Sequence, residues 1–162
     1  MSTPHHEKNI VTTDRVPKAI GPYSVGVTTG TLVFTAGQLP IDVATGKIVE
    51  GGIQAQTRQA LINLQAVIEA AGSSLDQVIK TTVFLQDMGE FALMNEVYAS
   101  FFTSNYPARS AVQVAALPLN AAVEIEAVAF DLGQIGQMRI AGDLATLAAG
   151  VHDALQVFLA QL

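Results

Sequence analysis

Two extended segments of this chain are apolar on both sides. In the first, Leu32, Phe34 and Ala36 point one way and Val33 and Thr35 the other; in the second, Thr82 and Phe84 oppose Val83 and Leu85. A sheet built from such strands has to be covered on both faces, yet only two helical segments lie among the strands. The helices are expected to close one face and a second copy of the chain to close the other.

The elements follow from local pattern. Residues 8–12 begin a strand, and 23–28 with 31–38 form a hairpin turning at Thr29-Gly30. Asp42-Val43-Ala44-Thr45-Gly46 supplies a turn. Over 53–71 the apolar positions Ala60, Leu61, Leu64, Val67, Ile68 and Ala71 keep helical spacing, with Gly72 placed for a left-handed C-cap. Residues 78–86 are β-branched and aromatic, hence a strand, and Phe91, Met94, Tyr98, Phe101 and Phe102 mark a second helix face. Residues 111–115 and 123–130 give the last strands. The order β-β-β-α-β-α-β-β predicts an α+β fold, a mixed sheet with two helices packed on one face.

Composition supports burial between copies. With 162 residues the chain makes one domain and a tail. Charged residues are 14%, against roughly a quarter in ordinary soluble domains, and hydrophobic ones reach 50%. The net charge of -6 and the absence of any Lys/Arg run speak against nucleic acid as a partner. No Cys is present, which removes disulfides and thiolate chemistry. The opening residues lack an apolar signal-peptide core, so a cytoplasmic location is expected and no membrane association.

We divide the chain into an N-terminal arm (1–7), a domain (8–131), a linker (132–142) and a C-terminal helix (143–162). In that last segment Leu144, Ala148, Val151, Leu155, Phe158 and Leu162 recur in steps of four and three, an amphipathic stripe too interrupted to span a membrane. It can dock on its own domain, bundle with symmetry mates, or bind a protein partner such as a shell or scaffold.

Few side chains are placed for chemistry. Between Glu96 and Glu124 the one formal charge is Arg109, whose planar fork matches a carboxylate or phosphate. It either clamps an anionic ligand, pairs with a distant carboxylate or snorkels to water. Glu124 and Glu126 share one side of a strand, which suits general-base work but equally a solvated strand end or an ion pair with Lys80 or Arg58. Gly21-Pro22-Tyr23-Ser24 is a rigid turn presenting a phenol, and Gly37 lets a ligand or backbone approach closely. His5, His6 and His152 have no metal-ligand spacing, and no metal site is expected. Ser110 lacks an activating motif.

Taken together, Ile20-Gly21-Pro22-Tyr23-Ser24, Thr35-Ala36-Gly37-Gln38-Leu39-Pro40, Gln56-Thr57-Arg58-Gln59, Lys80-Thr81-Thr82-Val83-Phe84-Leu85, Asn95-Glu96-Val97-Tyr98, Pro107-Ala108-Arg109-Ser110 and Val123-Glu124-Ile125-Glu126-Ala127 closely resemble the Rid/YjgF family. The resemblance implies a chorismate-mutase-like fold, a homotrimer, and clefts between subunits where 2-enamine/2-imino acids such as 2-aminoacrylate are hydrolysed to 2-oxo acids and ammonia without a cofactor. It further implies that Arg109 holds the substrate carboxylate and that Glu124 positions or activates water. Tyr23, Gly37 and Asn95 would shape the cleft, with Ala36 and Ala111 beside the substrate. Relatives often carry Ser at position 36, Cys or Thr at 111 and a polar residue at 25, so Ala36, Ala111 and Val25 each remove a possible hydrogen bond and bear on substrate preference. Two other uses of the same cleft stand as alternatives: a non-catalytic carboxylate-binding or chaperone-like module, and RNA cleavage with translation inhibition, which the acidic charge disfavours.

Overall fold

The structure, a computed structural model, describes residues 8–132. The arm 1–7, the linker from 133 and the helix expected over 143–162 lie outside the described residues. Strands are β1 (Lys8–Val11), β2 (Gly26–Thr29), β3 (Leu32–Thr35), β4 (Ile41–Asp42), β5 (Lys47–Ile48), β6 (Val78–Leu85), β7 (Ala108–Gln113) and β8 (Val123–Phe130); helices are α1 (Gly52–Ala70) and α2 (Phe91–Phe101).

Helix α1 forms where its apolar spacing requires, burying Ile53, Ala60, Leu61, Leu64, Val67 and Ile68. It ends as expected at Gly72, whose φ of 79° is left-handed. There the Gly72 N–H donates to Glu69 O and the Ser73 N–H to Ile68 O, satisfying carbonyls that the helix end leaves open. Helix α2 buries Met94, Val97 and Tyr98 and packs beside α1.

Six strands form one sheet in the order β1-β2-β3-β8-β6-β7, and β4 and β5 make a separate small hairpin around the expected 42–46 turn. The β6–β7 pair is parallel, as the α2 crossover between them demands, and the other pairs are antiparallel. The mixed α+β sheet is thus as expected. On its helix side β6 buries Thr81, Val83 and Leu85, and β8 buries Val123, Ile125, Ala127 and Ala129. Leu61, Leu64, Val83, Leu85 and Ile125 are fully buried, each contributing about 1.5–3 kcal/mol by leaving water. The alternate residues Thr82, Phe84, Glu124, Glu126 and Val128 are half-buried on the other face, where no described helix lies over them, and Phe34 there is 38% exposed.

Several strands differ from expectation. β2 and β3 cover Gly26–Thr29 and Leu32–Thr35 in place of 23–28 and 31–38, and the hairpin turns at Gly30-Thr31, not at Thr29-Gly30. β7 spans Ala108–Gln113 and not 111–115, so Arg109 sits inside the edge strand of the sheet. Ala-Arg-Ser has little strand preference of its own; the ladder with Lys80, Thr81 and Thr82 draws it in.

Candidate active site

Arg109 pairs in register with Thr81, whose buried hydroxyl shares a 2.8 Å hydrogen bond with the Tyr98 hydroxyl. Its guanidinium carbon stands 4.5 Å from the Tyr98 ring centroid and 5.5 Å from that of Phe91, which places the side chain on the α2 side of the sheet. Phe91 and Tyr98 are seven residues apart on α2 and present one face, a two-ring platform beneath the guanidinium. Burial pushes the Tyr98 phenol above its ordinary pKa, against the opposing pull of the Thr81 bond and the Arg109 charge; it stays neutral and leaves the cation unneutralised. Among the described residues Arg109 makes no ion pair. A cleft of about 380 Å³ opens over it, lined by Asn95, Tyr98, Ala99, Tyr106, Pro107 and Arg109. Ala111, two residues on, shares Arg109's side of the strand and packs against the core.

Glu124 lies on the opposite face of the sheet. Its neighbours Val123 and Ile125 are fully buried on the helix side, so its carboxylate, half-buried, projects from the open side. There it covers Gly37: a Cβ at position 37 would lie 2.7 Å from the Glu124 Cδ and closer still to Oε1. Gly37 adjoins Gln38, which bridges to Ile125 through the Gln38 N–H to Ile125 O (2.8 Å) and the reverse bond (3.2 Å). Gly37, Tyr23, Val25, Leu39 and Ile41 line one pocket. Tyr23 is 51% exposed at the end of a tight turn in which its N–H donates to Gly21 O. The Ala36 carbonyl accepts from the Gln38 side chain, and the Ala36 N–H donates to Val25 O.

Burial raises the Glu124 pKa, and the nearby Glu126 charge raises it further. The ion pairs open to these acids in the sequence do not form: Lys80 Nζ donates to Ser110 Oγ and Thr81 O, and Arg58 lies over the Phe101 ring. A methyl at position 37 has to displace the carboxylate, so Gly37→Ala is expected to lower any Glu124-dependent turnover by about tenfold or more while thermal unfolding stays within a few degrees of the parent. Equal turnover would show that the close approach has no catalytic consequence.

Hence the residues expected to form the site fall into two groups. Arg109, Asn95 and Ala111 lie on the α2 side; Glu124 lies over Gly37 on the open side, with Ala36 next to Gly37 in the chain and Tyr23 lining the same pocket as Gly37, and the sheet stands between Arg109 and Glu124. Sequence reasoning placed Phe91 and Tyr98 on a packing face only; their seven-residue spacing was visible, but their place under Arg109 depends on the β6–β7 pairing. Among the described residues no three His, Cys, Asp or Glu gather as a metal ion would require, and no helix is long and apolar enough to cross a membrane.

A family profile described as Endoribonuclease L-PSP matches residues 13–131. A RutC family protein of Pyrococcus horikoshii is 54% identical over 123 residues, covering 76% of this chain and 98% of that protein. The 2-iminobutanoate/2-iminopropanoate deaminase of Salmonella typhimurium is 47% identical over 122 residues, covering 74% and 94%. Among solved structures, Escherichia coli TdcF with bound serine superposes with a TM-score of 0.73 at 48% identity, covering 75% of this chain and 98% of that one. The chain belongs to the Rid/YjgF family.

Proposed function

We propose that this chain deaminates small 2-imino acids and their 2-enamine tautomers by hydrolysis, in clefts shared by neighbouring subunits of a homotrimer. The observation that carries this reading is the Arg109 fork, held on two rings in an open cleft with no carboxylate paired to it among the described residues. The deaminase name of the Salmonella relative supports the reaction. The separation of Arg109 and Glu124 across the sheet supports the shared cleft, because a closed ring joins unlike surfaces of neighbouring copies, and in this reading those are the Arg109 side of one and the Glu124 side of the next.

In this reading Arg109 binds the substrate carboxylate and Asn95 and Tyr106 border it. Glu124 takes a proton from a water, whose oxygen adds to the imine carbon. The resulting carbinolamine collapses as Glu124 returns that proton to the nitrogen: the C–N bond breaks, the hydroxyl releases its own proton to the departing ammonia as the carbonyl forms, and 2-oxo acid and ammonium leave. An iminium carbon is already electrophilic, so orientation and a proton shuttle through one carboxylate are enough. RNA cleavage is the weaker reading, since a net charge of -6 and two acids on the open face repel phosphates.

The test couples the protein to a dehydratase that releases 2-aminoacrylate and to a panel of other imino acids. We expect 2-oxo acid to appear faster than by spontaneous hydrolysis; no acceleration with any imine would overturn the reading. Because Glu124 must be ionised to accept the proton, kcat should fall as pH drops through its raised pKa, on a limb above the ordinary glutamate value of 4.5. Glu126→Gln removes one cause of the rise and should move that limb to lower pH. The stability sign is opposite. A raised carboxyl pKa contributes stability that is complete below the unfolded value and lost as pH climbs through the folded one, so the ionised, working form is the costlier one to fold.

A further inference from the structure

We propose that Gln56 and Asn63 are positioning residues, which from one face of α1 brace the two segments that carry Gly37 and Glu124. The inference rests on the reading of Gly37 and Glu124 as the water-orienting half of the site, and it gives a role to the Gln56-Thr57-Arg58-Gln59 motif, which the mechanism leaves unused.

Asn63 is 1% exposed, yet all its polar reach is directed outside its own helix backbone. Its Nδ2 donates to Leu39 O and to Ile41 O, both at 2.9 Å, and its Oδ1 accepts from Gln59 Nε2 at 2.9 Å. Gln59, one turn earlier, thereby fixes which way the amide faces. Seven residues before Asn63 on the same face, Gln56 Oε1 accepts the Ala122 N–H at 2.8 Å. Ala122 is two residues before Glu124, and Leu39 is two after Gly37.

Past Thr35 the chain leaves the β3 ladder: the Ala36 N–H still donates to Val25 O, the Gln38–Ile125 bridge ties it to β8, and beyond that the Pro40 carbonyl and Ile41 pair only with the small β4–β5 hairpin, so the tie of Leu39 and Ile41 to the helix layer comes through Asn63. Leu39 and Ile41 line the same pocket as Tyr23 and Gly37, and the Glu124 carboxylate packs on Gly37 with no room for a methyl group. A shift of a fraction of an ångström in 37–41 or at the start of β8 therefore moves the carboxylate against whatever it orients. Bonds buried from water hold such a geometry more firmly than exposed ones.

The two amides play opposite chemical parts: Asn63 must donate, whereas Gln56 must accept. Changing amide to acid separates these roles. Asn63→Asp sets a carboxylate against two carbonyls, while Gln56→Glu still accepts the Ala122 N–H and Gln56→Leu does not. We expect Asn63→Asp to speed hydrogen exchange over 37–41 by about tenfold or more, with α2 and β6 unchanged. In the imine assay kcat should fall about tenfold with KM, governed by Arg109, within about threefold. Gln56→Leu should act likewise through the start of β8, and Gln56→Glu should restore most of the loss. Unchanged exchange over 37–41, exchange accelerated across the whole fold, or equal damage from Gln56→Glu and Gln56→Leu would each overturn the proposal. If Asn63→Asp does not fold, the Gln56 pair decides alone. A parent protein without imine turnover overturns the deaminase reading instead, and exchange then still reports on the bracing.

Discussion

Arg109→Ala should lower kcat/KM for imine hydrolysis by on the order of 10²–10³, a loss of about 3–4 kcal/mol in transition-state binding, while the protein stays folded. The substrate carboxylate would lose a bidentate, charged partner that nothing nearby replaces: Asn95 and Tyr106 are neutral and the Tyr98 phenol is held by Thr81. The folded chain loses much less, because the cation over Phe91 and Tyr98 makes no ion pair among the described residues and its stacking at a half-open edge is worth about 0.5–1 kcal/mol. Arg109→Lys keeps the charge and loses the fork, and should fall between the two. The decisive measurement is 2-oxo acid formation from an enzymatically generated imine, with thermal unfolding recorded alongside. Acceleration unaltered in Arg109→Ala would remove the residue from the site.

Mixing two inactive variants should restore activity. Arg109→Ala subunits keep Glu124, and Glu124→Gln subunits keep Arg109. When the two are unfolded together in equal amounts and refolded, a cleft works only where an intact Arg109 meets an intact Glu124 from the neighbouring copy. Random assembly around a closed ring gives that combination at about one cleft in four. Specific activity near a quarter of the parent's is therefore expected from a mixture whose components are each nearly silent. A mixture as inactive as its parts would place the whole site within one chain.

Much of the fold was legible because each signal was local. Apolar spacing marked α1, Gly72 marked its end, and the two-sided apolar strands marked the uncovered face, all of which the structure repeats. What was not legible depended on pairing. Arg109 read as standing at the mouth of a strand because Ala108 and Ser110 carry no strand signal, and only the ladder to β6 brings it inside. Glu124 and Glu126 were correctly set on one side, but that this side is opposite to Arg109 follows from the β6–β8 register and the α2 crossover together. Gln56 and Gln59 stood out only within the Gln56-Thr57-Arg58-Gln59 motif and Asn63 not at all, since the partners Ala122, Leu39 and Ile41 are distant in sequence.

The sheet that stands between Arg109 and Glu124 also governs when the protein can work. A freshly made chain already possesses both groups, but on opposite faces of the sheet and two strands apart. Catalysis in the proposed reading then begins only on assembly, so specific activity falls steeply on dilution below the association range and recovers on concentration. Expression level, and not just substrate supply, would set the threshold at which imines start to be cleared.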